Sequence, residues 1–141
     1  YNAMLAKLLA DRLTEAMAEV VHLFVRREMW GYESCSEQPD TKAIIAGKYQ
    51  GLRMAFGYPA TPDHSLKREA FDLLNAQLMT EMRLTENFMI NPAEALCGMM
   101  VADEAARYFA VGVIDEEQLK DYAKRRGMAK DQMRRILPKN I

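Results

Sequence analysis

The chain has 141 residues, half of them apolar and 28% charged, with a formal net charge of −1. That is enough for one domain with a single core. The near-neutral mixture of signs excludes a basic field for nucleic acid and a polybasic patch for a membrane surface.

No apolar run approaches the length of a spanning helix, and no charged segment precedes an apolar block as in a signal peptide. Cys35 and Cys97 lie far apart with no partners at metal spacing, so two reduced thiols in a cytoplasmic protein are expected. His22 and His64 are the only histidines, and no zinc set is expected. Tyr1, Asn2 and Ala3 before Met4 resemble a cloning remnant, so the domain is taken as residues 4–141.

From Met4 to Met29, Leu5, Leu9, Leu13, Met17, Val20, Val21 and Phe24 recur at helical spacing. Glu15, Glu19, Arg26 and other charged residues fill the opposite face, which predicts a long amphipathic helix with its polar face in water. The stretch "WGYESCSEQPD" ends it at Gly31 and Pro39, and "TKAIIAGKYQGL" predicts a second helix capped by Asp40 or Thr41.

"RMAFGYPATPDH" reads as a loop, because Pro59 and Pro62 break helices. "SLKREAFDLLNAQLM" reads as a helix capped by Ser65 or Asp63, with Leu66, Ala70, Leu73, Leu74 and Leu78 as its apolar stripe.

Beyond it, Leu84, Phe88 and Ile90 alternate, and "ALCGMMV" predicts a short strand with Gly98 as a close-approach glycine. "DEAA" suits a hairpin turn into a strand "RYFAVGVI". Asp115 and Gln118 form a capping-box pattern for a helix that stops at Gly127, and "KDQMRRIL" predicts a last helix before Pro138. The expected class is α+β, with helices packed on a small antiparallel β-sheet whose strands lie within residues 84–114.

The candidate chemistry centres on Arg53-x-x-x-Gly57-Tyr58-Pro59. A guanidinium grips a carboxylate or phosphate through two parallel hydrogen bonds. Gly57 permits close backbone approach, and Pro59 stiffens the residues after it. From spacing alone, a surface arginine before a turn is the more frequent outcome. Tyr108 and Phe109 would fall on opposite faces of a strand, with Phe109 the better core candidate and Tyr108 free to meet a ligand. His64 suits a turn or the wall of a site. No nucleophile–base pair, phosphate loop or carboxylate pair is present, so the residues read as a binding module.

"DRLTEAMAEVVHLFVRREMWGY", "KYQGLRMAFGYPATPDH", "LTENFMINP" and "RYFAVGVIDEEQLKDYAKRRGM" together resemble the activation domain of cobalamin-dependent methionine synthase, in order over residues 11–138. The resemblance is to the C-terminal portion of that domain. It implies S-adenosylmethionine binding, with Arg53 on the methionine carboxylate and Glu15, Ala55, Gly57, Tyr58, Tyr108 and Phe109 around the ligand.

It further implies a cobalamin held by a separate domain or protein, and reductive remethylation with an electron from a flavodoxin-type donor. Thr61 stands where the family often has Cys, and Gly47 where it often has an acidic residue. An N-terminal aspartate that contacts the ligand in the family has no counterpart here. The resemblance thus implies an incomplete site and an exposed apolar strip, which is also a candidate surface for self-association. The competing reading is an interaction module that docks a cobalamin-binding protein without binding the ligand.

Overall fold

The computed structural model describes residues 1–35 and 38–141. Helix α1 runs Asn2–Phe24 and continues through a π-helical turn, Val25–Met29, in which Trp30 N donates to Val25 O at 2.8 Å. The turn expected over residues 30–40 includes Ser36 and Glu37, which lie outside the described residues. Helix α2, Thr41–Ile45, is shorter than predicted; the Asp40 carboxylate caps it by accepting from Lys42 N at 2.9 Å.

Residues 53–55 do not form the expected loop, and Leu52 does not end the predicted second helix. Leu52–Ala55 is strand β1, paired antiparallel with β4, Gly98–Val101, in the register Leu52↔Val101 to Ala55↔Gly98. Gly98 is the close-approach glycine that was predicted: a Cβ there would lie 2.3 Å from the Met54 carbonyl. β2, Arg83–Leu84, and β3, Ile90–Asn91, form a separate two-stranded ribbon. Phe88 sits in its turn at φ +58° rather than in a strand, with its N–H donating to Thr85 O. The class is α+β as expected, but the strands form two ribbons and β1 falls outside residues 84–114.

The predicted strand over 107–114 is not formed; β4 has β1 as its partner instead. The segment is pinned at single points, Val111 N to Pro59 O at 2.9 Å and Ile114 N to Asn140 O at 2.7 Å. Pro59 has no N–H to return, so a reciprocal ladder cannot grow there. Asp103 does make a turn, with Ala106 N donating to its carbonyl at 3.1 Å, but no hairpin follows.

Helix α3, Leu66–Leu74, and α4, Ala76–Thr80, are separated by Asn75 at φ +48°, so the single predicted helix is broken. Its expected stripe is also displaced. Leu73, Leu74 and Leu78 are exposed, Leu78 at 84%, while Phe71 and Ala76 are buried.

Helices α5, Glu116–Arg125, and α6, Lys130–Ile136, pack together around Leu119, Ala123, Met133 and Leu137. The Asp115 capping box forms as predicted: Gln118 N donates to Asp115 Oδ1 at 2.8 Å, and Asp115 N to Gln118 Oε1 at 2.9 Å.

Helix α1 reverses the expected burial. Leu5, Leu9, Leu13, Met17, Val20, Val21 and Phe24 are exposed, Leu13 at 71%, whereas His22 and Arg26 are buried. The helix turns Glu19, His22 and Arg26 toward β1 and leaves most of its apolar stripe uncovered, with Met17 and Val21 in the wall of a cavity against the β1–β4 ribbon. Among the described residues no helix is long and apolar enough to cross a membrane.

Candidate functional site

A cavity of about 550 Å³ lies between α1 and the β1–β4 ribbon. Glu15 and Ala18 line it from α1, Arg53 and Ala55 from β1, and Met99 from β4, with Tyr58 and Tyr108 at its rim. Glu15, Arg53, Ala55, Tyr58 and Tyr108 are therefore brought together from three separate parts of the chain. Gly57 and Phe109 are not part of this wall. Phe109 is 56% exposed, against the expectation of a core residue, because the strand that would have buried it is absent.

The loop after β1 is closed on itself. Thr61 N donates to Tyr58 O at 2.9 Å, with Pro59 next after Tyr58, where its fixed φ suits a β-turn. Gly57 N donates to Thr61 O at 2.7 Å, and Thr61 Oγ1 to Ala55 O at 3.0 Å. Ala55 O also accepts from Tyr58 N at 3.4 Å, so both of its lone pairs are engaged within the loop.

Gly57, at φ +90°, admits no side chain: a Cβ there would lie 2.0 Å from the His64 ring. That ring holds Lys67 Nζ at 2.7 Å from its Nδ1, and Lys67 Nζ also donates to Phe88 O at 3.1 Å. Burial, and then the Lys67 charge, push the His64 imidazole below its ordinary pKa. Burial likewise lowers Lys67.

Arg53 is held from the α1 side. Its Nη2 donates to Glu19 Oε1, and its Nη1 is buried with no acceptor. The second Glu19 oxygen, Oε2, accepts from the Tyr49 hydroxyl at 3.5 Å. The Arg26 guanidinium stacks 4.0 Å from the Tyr49 ring centroid, and Arg26 Nε donates to Glu33 Oε2 at 2.6 Å.

The His22 and Tyr49 rings form a T-shaped pair at 5.1 Å between centroids and 85° between planes. His22 is fully buried, with no partner for either ring nitrogen. Burial, followed by the charges of Arg26 and Arg53, pushes its pKa down to about 4. The imidazole is therefore neutral at pH 7. Burial raises the Tyr49 phenol, which keeps it a neutral donor.

Glu19, His22, Arg26 and Tyr49 are not among the site residues expected from the sequence. The helical spacing of Glu15, Glu19, His22 and Arg26 already placed them on one face. Reading that face as solvated concealed the cluster, because polar stripes on helices usually are.

A second polar seam ties this loop to α5. Asp63 is 1% exposed; it accepts from Ser65 N at 2.7 Å, Ser65 Oγ at 2.6 Å and the Tyr122 hydroxyl at 2.7 Å. Arg126 Nε lies 3.4 Å from Asp63, and Arg126 Nη2 is 2.6 Å from Glu69. The two thiols are free: Cys97 lines the cavity, and Cys35 lies at the surface.

The family model described as "Vitamin B12 dependent methionine synthase, activation domain" matches residues 1–127. Among solved structures, a crystal structure of the MetH reactivation domain bound to AdoHcy superposes with a TM-score of 0.94 at 40% sequence identity. The match covers 100% of this chain and 43% of that one.

Proposed function

Since the chain belongs to the activation-domain family of vitamin B12-dependent methionine synthase, we propose that the cavity between α1 and β1 binds S-adenosylmethionine and holds its methyl group toward a cobalamin carried by a separate domain or protein. The observation that carries this reading is Arg53. Arg53 lines the cavity, and its buried Nη1 has no acceptor inside the protein. Buried donors are rarely left without partners, and those that are point to a ligand or to strain. A carboxylate suits the guanidinium fork.

Glu15 on the same wall suits the ligand ammonium, and the Tyr58 and Tyr108 rings suit a sulfonium or an adenine face. The solved relative at 40% identity is described as bound to AdoHcy, which has the same amino-acid and adenosine ends. Ala55 and Gly57 serve this site through loop closure and His64 packing, since the Ala55 carbonyl and the Gly57 N–H are already engaged.

The ligand supplies an activated methyl group. The protein's part is positioning, which by itself contributes large rate effects. We read residues 4–141 as the C-terminal portion of such a domain, acting within a methyltransferase of methionine biosynthesis and served by a flavodoxin-type electron donor. The chain spans 43% of the solved relative's length, and we read the ligand's further contacts as lying outside it.

Arg53→Ala in the intact protein is expected to weaken S-adenosylmethionine binding by about 2–5 kcal/mol in calorimetry. Arg53→Lys should recover only part, because a point charge does not replace the planar fork. Methyl transfer from methyltetrahydrofolate should be unchanged. Equal affinity with alanine at position 53 would overturn the assignment.

A further inference from the structure

We infer that Glu19 is the positioning residue for Arg53: its carboxylate holds the back of the guanidinium, so that the donors left over remain directed to the carboxylate of a ligand in the cavity. This deepens the ligand-binding reading above and rests on it.

Three observations lead here. Arg53 Nη2 donates to Glu19 Oε1. Arg53 lines the cavity, whereas Glu19 does not, although Glu15 and Ala18 on the same helix do. Glu19 therefore meets the guanidinium from within the wall rather than from the ligand side. Arg53 also keeps Nη1 buried and without an acceptor, so the internal contacts leave it under-satisfied.

A carboxylate competing with the ligand would sit in the cavity and use the same edge. One that positions the arginine meets it from outside the cavity lining, as Glu19 does.

Glu19 is itself held. Its Oε2 accepts from Tyr49, whose ring packs under the Arg26 guanidinium and meets the His22 ring in a T-shaped contact. Arg26 in turn is anchored on Glu33, which also accepts from Arg27 Nε at 3.1 Å. On the other side, the Arg53 backbone is fixed opposite Met100 in the β1–β4 ladder.

An arginine has many rotamers, and ordering one costs affinity when the ligand has to do it. Here the protein orders it before the ligand arrives. The row Glu33–Arg26–Tyr49–Glu19–Arg53 thus links the π-helical end of α1 to the site.

The test uses the intact protein with Glu19→Ala, Glu19→Gln, Arg53→Ala and the Glu19→Ala/Arg53→Ala double variant. Calorimetry is run with S-adenosylmethionine and with its decarboxylated form. Glu19→Ala should weaken S-adenosylmethionine roughly tenfold or more, leave the decarboxylated ligand within about twofold, and add nothing when Arg53 is already alanine. Glu19→Gln retains the acceptor oxygen and should stay within about threefold of wild type.

Equal weakening for both ligands would make Glu19 merely structural. Tighter binding with glutamine would make it a competitor. Either result, or no change with alanine, overturns the proposal.

Rotation of the Arg53 guanidinium, read by nitrogen-15 NMR without ligand, supplies an independent readout. It should be slow in the wild type and Glu19→Gln, and fast in Glu19→Ala. If the wild type binds neither ligand, the ligand reading fails. The positioning role then stands or falls on whether wild-type rotation is slower than in Glu19→Ala.

Discussion

Helix α1 and the α5–α6 pair are both amphipathic, yet they bury opposite faces. In the C-terminal pair the apolar sides meet, with Leu119 1% exposed and Met133 fully buried. In α1 the inward face carries Glu19, His22 and Arg26, and the apolar residues Leu5, Leu9, Leu13, Val20 and Phe24 are left in the open.

The C-terminal pair is held by removal of apolar surface from water, which is non-directional and tolerant. The α1–β1 layer is held by an ion-pair and ring network, which requires each partner in place. The site is built on the second kind of contact.

The comparison can be broken at four points. The largest effect is expected from Met133→Ala, which empties a fully buried position in the C-terminal pair. It should cost about 2–5 kcal/mol in denaturant unfolding. A loss below ~1 kcal/mol would show that this pair is not the apolar anchor assigned to it.

Next is the pH response of the other region. The His22 pKa is held near 4 in the folded chain, below the ordinary histidine value of 6.5. The unfolded chain therefore binds the extra proton first. This stability is fully present above about pH 6.5 and is lost as pH falls toward 4, by up to about 1.4 kcal/mol per pH unit. The slope should be shallower in His22→Leu between pH 6.5 and 4. Identical slopes would mean that His22 is not buried as a neutral ring among Arg26, Arg53, Glu19, Glu33 and Tyr49.

Tyr122→Phe probes the seam between the regions. It removes the donor at 2.7 Å from the buried Asp63 carboxylate. The expected cost is about 1–3 kcal/mol, with α5 loosened from the loop after β1. Hydrogen exchange at the Asp63–Lys67 amides should rise; unchanged protection there would count against the seam.

The smallest effect belongs to the uncovered stripe of α1. Leu13→Ser should alter the stability of this chain by less than ~0.5 kcal/mol, since Leu13 is already exposed. Light scattering should show less self-association than in the wild type. A large loss of stability would mean that the stripe is covered from within.

The parts of the fold visible in advance were those whose signals are local. The Asp115–Gln118 box, the helices at 116–125 and 130–136, and the tight approach at Gly98 all appear where expected. Strand β1 was missed because its four residues sit between Gly51 and the turn at Gly57, and its partner lies more than forty positions on. The run from Arg107 to Ile114 has strand composition but meets Pro59, which cannot complete a ladder.

Arg53, Tyr58 and Tyr108 are candidates from the residues and Glu15 from the resemblance, and all four line one cavity. Glu19 and His22 were passed over because a polar helical face ordinarily faces water.

What the sequence determined by itself was the α+β class, the position of most helices and the presence of an arginine before a Gly-Tyr-Pro turn. Those properties arise from hydrogen bonds and dihedral limits acting over a few residues. Only the tertiary structure decided which face of α1 turns inward, which strand pairs with β4 and which residues stand behind Arg53. A helical period defines two faces but does not say what arrives opposite each. Here the arrival of Arg53 and Tyr49 on the inner side makes the polar stripe the buried one, because a buried guanidinium needs a carboxylate and a buried carboxylate needs donors.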